Sequence, residues 1–246
     1  MLLLIDAGNT RVKWALAHPE AQPGTWSALG AVLHDELDAL APAWRDAGVA
    51  RAIVSNVAGP ELRARLAALL GAIDVDWFAS SAARAGLVNG YRESGRLGCD
   101  RFAAAIGARA LAPGQALVVA TCGTATTVDA VTSDGRFLGG MILPGLALMA
   151  GALARNTAQL PQATPGAAPP PLFADNTNDA IVSGCLSAQA GAIERAVAGH
   201  GGAPCILSGG AAPYIAPALK VAHKLVDNIV LVGLHAVALA AADKGD

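Results

Sequence analysis

The chain writes one short phrase twice. LLLIDAGNT near the start and LVVATCGTA in the middle each run from an apolar stretch into a glycine turn, and Gly8 aligns with Gly123, 115 residues further on. An apolar run bounded by turn residues reads as a core strand. Each turn leads into a second strand, RVKWAL with Val12, Trp14 and Leu16 on one face, and ATTVDAV, so each copy is a β-hairpin. A repeat at close to half the chain length means two copies of one unit. The sequence therefore predicts an α/β protein of two similar lobes, 1–113 and 114–246, with the boundary near Pro113 and Gly114.

The intervening pattern fits such lobes. In the first, strands are expected near Trp26 to Leu33, from Arg51 to Val57 and from Val75, with helices from about Asp35, from Pro60 and through GCDRFAAAIGARAL. In the second, DGRFLGGMIL is a third strand and the Pro-rich stretch from Pro161 a surface loop between helices. A helix after Asn176, a strand PCILSGG and a C-terminal helix ending VGLHAVALAAADKG follow. The uncharged stretch Phe137 to Ala154 is long enough to raise a membrane span. Its GG, and the PG at 144–145, mark a strand, a turn and a helix start instead.

Composition narrows the function. With 54% hydrophobic residues a sizeable core is assured, and 17 basic against 19 acidic residues leave no electrostatic footprint for nucleic acid or an anionic membrane. The four cysteines, Cys99, Cys122, Cys185 and Cys205, are too widely spaced for a zinc site and read as reduced cytosolic thiols. The N-terminal apolar run stops at Asp6, too short for an export signal, so a cytoplasmic protein is expected.

The residues at the turns carry chemistry. In DAGNTRVK, Gly8 lets backbone amides approach an anion, Asn9 and Thr10 add donors, Lys13 adds a point charge, and Asp6 is suited to hold Mg²⁺ through its water shell. The competing reading is an Asx-type turn with a solvated lysine. CGTATTVD supplies a second glycine and threonine hydroxyls, although Thr126 and Thr127 also suit a plain hairpin. Two such tips across a cleft are suited to gripping a polyphosphate. In GCDRF, Asp100 sits where it either caps a helix or accepts a hydroxyl proton, and Arg101 beside it is suited to a carboxylate. A kinase acting on an acidic alcohol needs both groups.

DAGNTRVK, GCDR, CGTATTVD, GGMILPG, NTNDAIVSG and the closing DNIVLVGLHAVA, in that order, resemble the motif set of type III pantothenate kinase over nearly the whole chain. That family belongs to the acetate and sugar kinase/Hsp70/actin superfamily. The resemblance implies an actin-like ATPase fold, a ribonuclease H-like duplication with a nucleotide cleft between the lobes. It implies ATP-dependent phosphorylation of pantothenate to 4'-phosphopantothenate, the first step of coenzyme A biosynthesis. It makes Asp6, Ala7, Gly8, Asn9, Thr10, Arg11, Val12 and Lys13 the first ATP phosphate loop, with Thr124 touching ATP from the second. Tyr91, Gly98, Cys99, Asp100, Arg101 and Thr177 become the pantothenate-binding residues and Asp100 the proton acceptor. It also implies Mg²⁺, a monovalent cation such as K⁺ or NH₄⁺, and a homodimer with sites at the subunit interface.

One position departs from that pattern. Many family members carry an aspartate, as a cation ligand, two residues before the second glycine turn, and here Thr121 stands in its place. A neutral hydroxyl is a poorer ligand for K⁺, so weak or absent K⁺ activation is expected. Alternative readings are another small-molecule kinase or phosphohydrolase of the same superfamily, or a non-catalytic transcription accessory factor.

Overall fold

The computed structural model describes residues 1–242, and its chain divides into two compact units. The first comprises Met1–Gln115, Asp134–Phe137 and the chain from Asn228 onward, and the second Ala116–Ser133 and Leu138–Asp227.

In the first unit, β1 (Leu2–Ala7) turns into β2 (Arg11–Ala17), and β3 (Ala28–Leu33) completes an antiparallel meander. A 3₁₀ segment, His34–Leu40, leads into α1 (Ala41–Asp46). The sequence pattern predicts one helix from about Asp35. The segment instead changes its winding where Pro42, at the second position of α1, has no N–H to continue the earlier ladder. Next come β4 (Arg51–Asn56), α2 (Pro60–Leu70) and β5 (Asp74–Phe78). Both β1/β4 and β4/β5 are parallel, and the sheet order is β3-β2-β1-β4-β5. A small hairpin, β6 (Ala83–Arg84) with β7 (Leu87–Asn89), precedes α3 (Cys99–Leu111).

The second unit repeats the plan. Its first strands are β8 (Leu117–Cys122), β9 (Ala125–Val131) and β10 (Arg136–Pro144), whose first two residues belong to the first unit and pair with β7. Then follow α4 (Leu146–Asn156), α5 (Thr177–Gly199), β11 (Cys205–Ser208), α6 (Ala212–Ile215) and β12 (His223–Leu225). Strand order β10-β9-β8-β11-β12 mirrors the first sheet, with β8/β9 antiparallel and β8/β11 and β11/β12 parallel. The Phe137 to Ala154 stretch is strand, turn and helix as expected, and among the described residues no helix is long and apolar enough to cross a membrane.

The central strand of the first sheet is apolar up to Asp6 because both its faces are covered: Leu2 to Ile5 are all buried. Leu3, Ile5, Val54, Leu66 and Trp44 form one core layer. The last helix, α7 (Ile229–Ala242), packs against α3 and β1 in the first unit. Its expected end at 243–245 lies outside the described residues. Apolar residues surround α7 on all sides because it is enclosed. It crosses α3 where Gly107 meets Gly233, and a Cβ on Gly233 would run into the Ala103 carbonyl.

Candidate active site

Register matches the first strands of the two hairpins position by position, the second turn being one residue shorter. Asp6 pairs with Lys13 on β2 and with Ser55 on β4, while Thr121 pairs with Thr127 on β9 and with Ser208 on β11. Asp6 and Thr121 are therefore equivalent positions, as are the buried serines Ser55 and Ser208.

At the first tip the Gly8 N–H donates to the Arg11 carbonyl over 3.1 Å, closing the turn and leaving Asn9, Thr10 and Arg11 exposed. Ala7 and Val12 are buried beneath it and act as its footing. Burial pushes the Asp6 carboxyl up to about 6; Lys13 draws it down and Asp100 pushes it further up. Asp6 and Asp100 thus feel one another's charge although they come from different elements.

A contact at the end of β4 explains how they meet. The Ser55 hydroxyl lies 3.4 Å from the Cys99 sulfur, which donates to the Asn56 carbonyl at 3.6 Å. These contacts pin the first turn of α3 beside Asp6's partner strand. Burial raises the Cys99 thiol, so it stays a neutral tether. Asp100 follows it, with one carboxylate oxygen accepting the Arg101 N–H at 2.9 Å. Desolvation pushes its carboxyl upward, more than Arg101 and the helix amides pull it back. Gly98 gives the carboxylate room, since a Cβ there would stand 2.6 Å from its Oδ1.

Arg101 is buried, and its Nη1 donates to the Tyr91 hydroxyl at 2.8 Å while the guanidinium lies over the Tyr91 and Phe137 rings. Tyr91 is held in turn by Asn89, whose Oδ1 accepts the Tyr91 N–H at 3.0 Å and whose amide donates to the Ser81 and Ser94 carbonyls. Ser55, Asn89 and Phe137 were not singled out from the sequence. An Asn directly before Gly90-Tyr91 is the one feature of the sequence that could have marked such an anchor, and its burial is visible only in the fold.

The first unit alone thus brings together Asp6, Lys13, Asp100, Arg101 and Tyr91. Thr124 and Thr177 belong to the second unit. Thr124 is exposed on the tip closed by the Gly123 N–H and the Ala125 carbonyl, and its own carbonyl accepts the Gly145 N–H at 2.9 Å. Thr177 opens α5 beneath the Asn176 cap, at the rim of an apolar groove lined by Pro144, Leu153, Ile181 and Cys185.

Among the described residues no three His, Cys, Asp or Glu side chains form a ready metal cage. A desolvated carboxylate with a second one nearby is nevertheless the donor set that a hard divalent cation shares with phosphate oxygens. Asp6, helped by the field of Asp100, fits Mg²⁺ in that manner.

The charge on Asp6 has a measurable cost. Its folded-state pKa of about 6 lies above the ordinary 3.8, so the stability that its proton lends is complete below pH 4 and lost as pH rises through 6. Asp6→Asn should therefore exceed the parent in ligand-free stability by about 3 kcal/mol at pH 8 and match it below pH 4. Chemical denaturation across that range checks this; a gap that does not grow with pH would contradict it.

Comparison with known proteins identifies the family. Residues 2–199 match the family model of type III pantothenate kinase. A type III pantothenate kinase from Herminiimonas arsenicoxydans is 56% identical, with 97% of this chain and 98% of that protein aligned. Among solved structures, one from Campylobacter jejuni named for the Baf family of transcriptional activators superposes with a TM-score of 0.63 at 17% identity, covering 99% and 100% of the two chains. The activator of 2-hydroxyisocaproyl-CoA dehydratase from Clostridium difficile, solved with bound ADPNP, gives 0.54 at 13%, covering 99% and 94%. These two likenesses speak to the fold, which is that of the actin-like ATPases and sugar kinases.

Proposed function

We infer that this chain, which belongs to the type III pantothenate kinase family, performs its phosphoryl transfer at the Asp6–Asp100–Arg101 constellation. It is an ATP-dependent kinase that converts pantothenate to 4'-phosphopantothenate. The observation that carries the assignment of residues is the tether from Ser55 through Cys99, which puts a carboxylate, an arginine and a tyrosine from α3 and its preceding loop beside the Asp6 hairpin.

In this reading the amides of the Gly8 turn, Asn9, Thr10 and Lys13 bind the phosphates of ATP. Arg101 and Tyr91 bind the pantothenate carboxylate end, orienting the primary hydroxyl toward Asp100. The hydroxyl oxygen forms the new bond to the γ-phosphorus as the bond to the β–γ bridging oxygen breaks. Asp100 takes the hydroxyl proton late, and ADP leaves. Lys13 balances charge on the phosphate oxygens throughout. Asp6 would meet the Mg²⁺ that accompanies ATP, and the bound ion would supply neutralisation of phosphate charge.

The direct test supplies purified protein with ATP, Mg²⁺ and a panel of alcohols with and without a carboxylate, following ADP and the phosphorylated acceptor. Turnover of pantothenate with stoichiometric ADP is expected; turnover of a neutral sugar instead would redirect the assignment. Thr121 lies where the first hairpin has Asp6, so the second tip offers a hydroxyl where a carboxylate would bind a monovalent cation. Exchanging K⁺ for tetramethylammonium at constant ionic strength should change kcat/KM less than about two-fold. A steep K⁺ dependence would show that another group supplies the ligand.

A homodimer is also part of this proposal, supported by the apolar groove beside Thr177 and by exposed Leu148, Leu153 and Ile142 on the same unit. Four free cysteines among the described residues suit a reducing, cytoplasmic setting.

A further inference from the structure

We propose that His34 is a positioning residue for the phosphate turn. The imidazole reaches across from the 3₁₀ segment, and its Nε2 stands 2.9 Å from the Gly8 carbonyl oxygen. A carbonyl only accepts, so Nε2 carries the hydrogen and donates it. Both backbone groups of Gly8 are thereby committed, the N–H to Arg11 within the hairpin and the C=O to His34 outside it. A trans peptide sets its N–H opposite to its C=O. With the Gly8 carbonyl held toward His34, the Asn9 amide is turned the other way, at the exposed rim of the tip. Orienting that amide in advance is what an anion-binding turn requires.

His34 is itself held firmly. The Leu33 N–H before it donates to the Glu36 carboxylate at 2.9 Å. Arg65, on α2, donates to the His34 carbonyl through one nitrogen and grips the Asp38 carboxylate through two others, at 3.2 and 2.7 Å. The bracket runs from α2 through the 3₁₀ segment to the turn, and its last link is a side chain. Hairpin hydrogen bonding alone would leave the Gly8–Asn9 peptide plane without an outside anchor.

The inference rests on ATP occupying this tip, and the test separates the two. KM for ATP and for pantothenate, with kcat, are measured for His34→Phe, which keeps the ring and loses the donor, and for His34→Gln, whose amide reaches the Nε2 position. His34→Asn, whose amide is too short to reach, serves as a second loss variant should the phenylalanine impair folding. Lys13→Ala reports whether ATP sits at the turn. Loss of one preorganising hydrogen bond should raise the ATP KM about 3- to 10-fold in the Phe and Asn variants, with recovery in Gln. The pantothenate KM should be unchanged. If Lys13→Ala raises the ATP KM and the His34 variants do not, the positioning role is wrong while the kinase site stands. If neither moves it, ATP is not bound at this turn and both fall. Equal rises in both KM values that Gln does not reverse would mark a general structural effect and overturn the role.

Discussion

Asp100→Asn should fold like the parent and turn over pantothenate at least about 100-fold more slowly, with both KM values nearly unchanged. The fold is spared because the side chain's structural duty is small. One oxygen accepts the Arg101 N–H at 2.9 Å, and the asparagine oxygen does the same. What the amide cannot do is receive a proton. The protein has placed this carboxylate where desolvation raises its proton affinity above the ordinary range, which is the adjustment that a base for an alcohol needs. The parent's kcat should accordingly fall as pH drops through a value above that range, whereas the variant's residual rate should be flat there. Steady-state assays from pH 4.5 to 8.5, with circular dichroism to verify folding, check both parts. Parent-like turnover in the variant would remove Asp100 from the chemistry and leave it as a helix-turn residue.

The duplicated hairpins were legible because each is local. An apolar run, a glycine and an alternating strand lie within fifteen or so residues, and nothing distant is needed to form them. That two buried serines, Ser55 and Ser208, would occupy matching places beside Asp6 and Thr121 was hidden, since that equivalence depends on parallel pairing between strands far apart in sequence. The hairpin of β6 and β7 is too short to show a period, yet Asn89 at its end accepts the Tyr91 N–H and is itself fixed by the Ser81 and Ser94 carbonyls. The last helix shows no amphipathic stripe because it is enclosed, and for that reason its sequence says nothing about which unit it joins. Asp100 and Arg101 were recognisable as adjacent charges at a helix start. Their depth, and the thiol tether that brings them to Asp6, came only with the fold.

Arg101 separates binding from chemistry. Its guanidinium is buried against two aromatic rings and bonded to the Tyr91 hydroxyl, so it is already desolvated and oriented before any substrate arrives. An arginine preorganised in that way gives a carboxylate a charge-assisted partner with little entropy left to lose. Arg101→Met keeps the apolar stem against Phe137 and removes the charge. It should raise the pantothenate KM about 10- to 100-fold, the range of a hydrogen bond to a charged group, while the ATP KM stays within two-fold. An analogue with a neutral alcohol in place of the carboxylate supplies the decisive comparison. The parent should prefer pantothenate over it by a similar factor, and the variant should barely distinguish the two, because the lost interaction is specific to the carboxylate. If Arg101→Met weakens both acceptors equally, the guanidinium is a structural support for Tyr91, and the carboxylate must be recognised elsewhere.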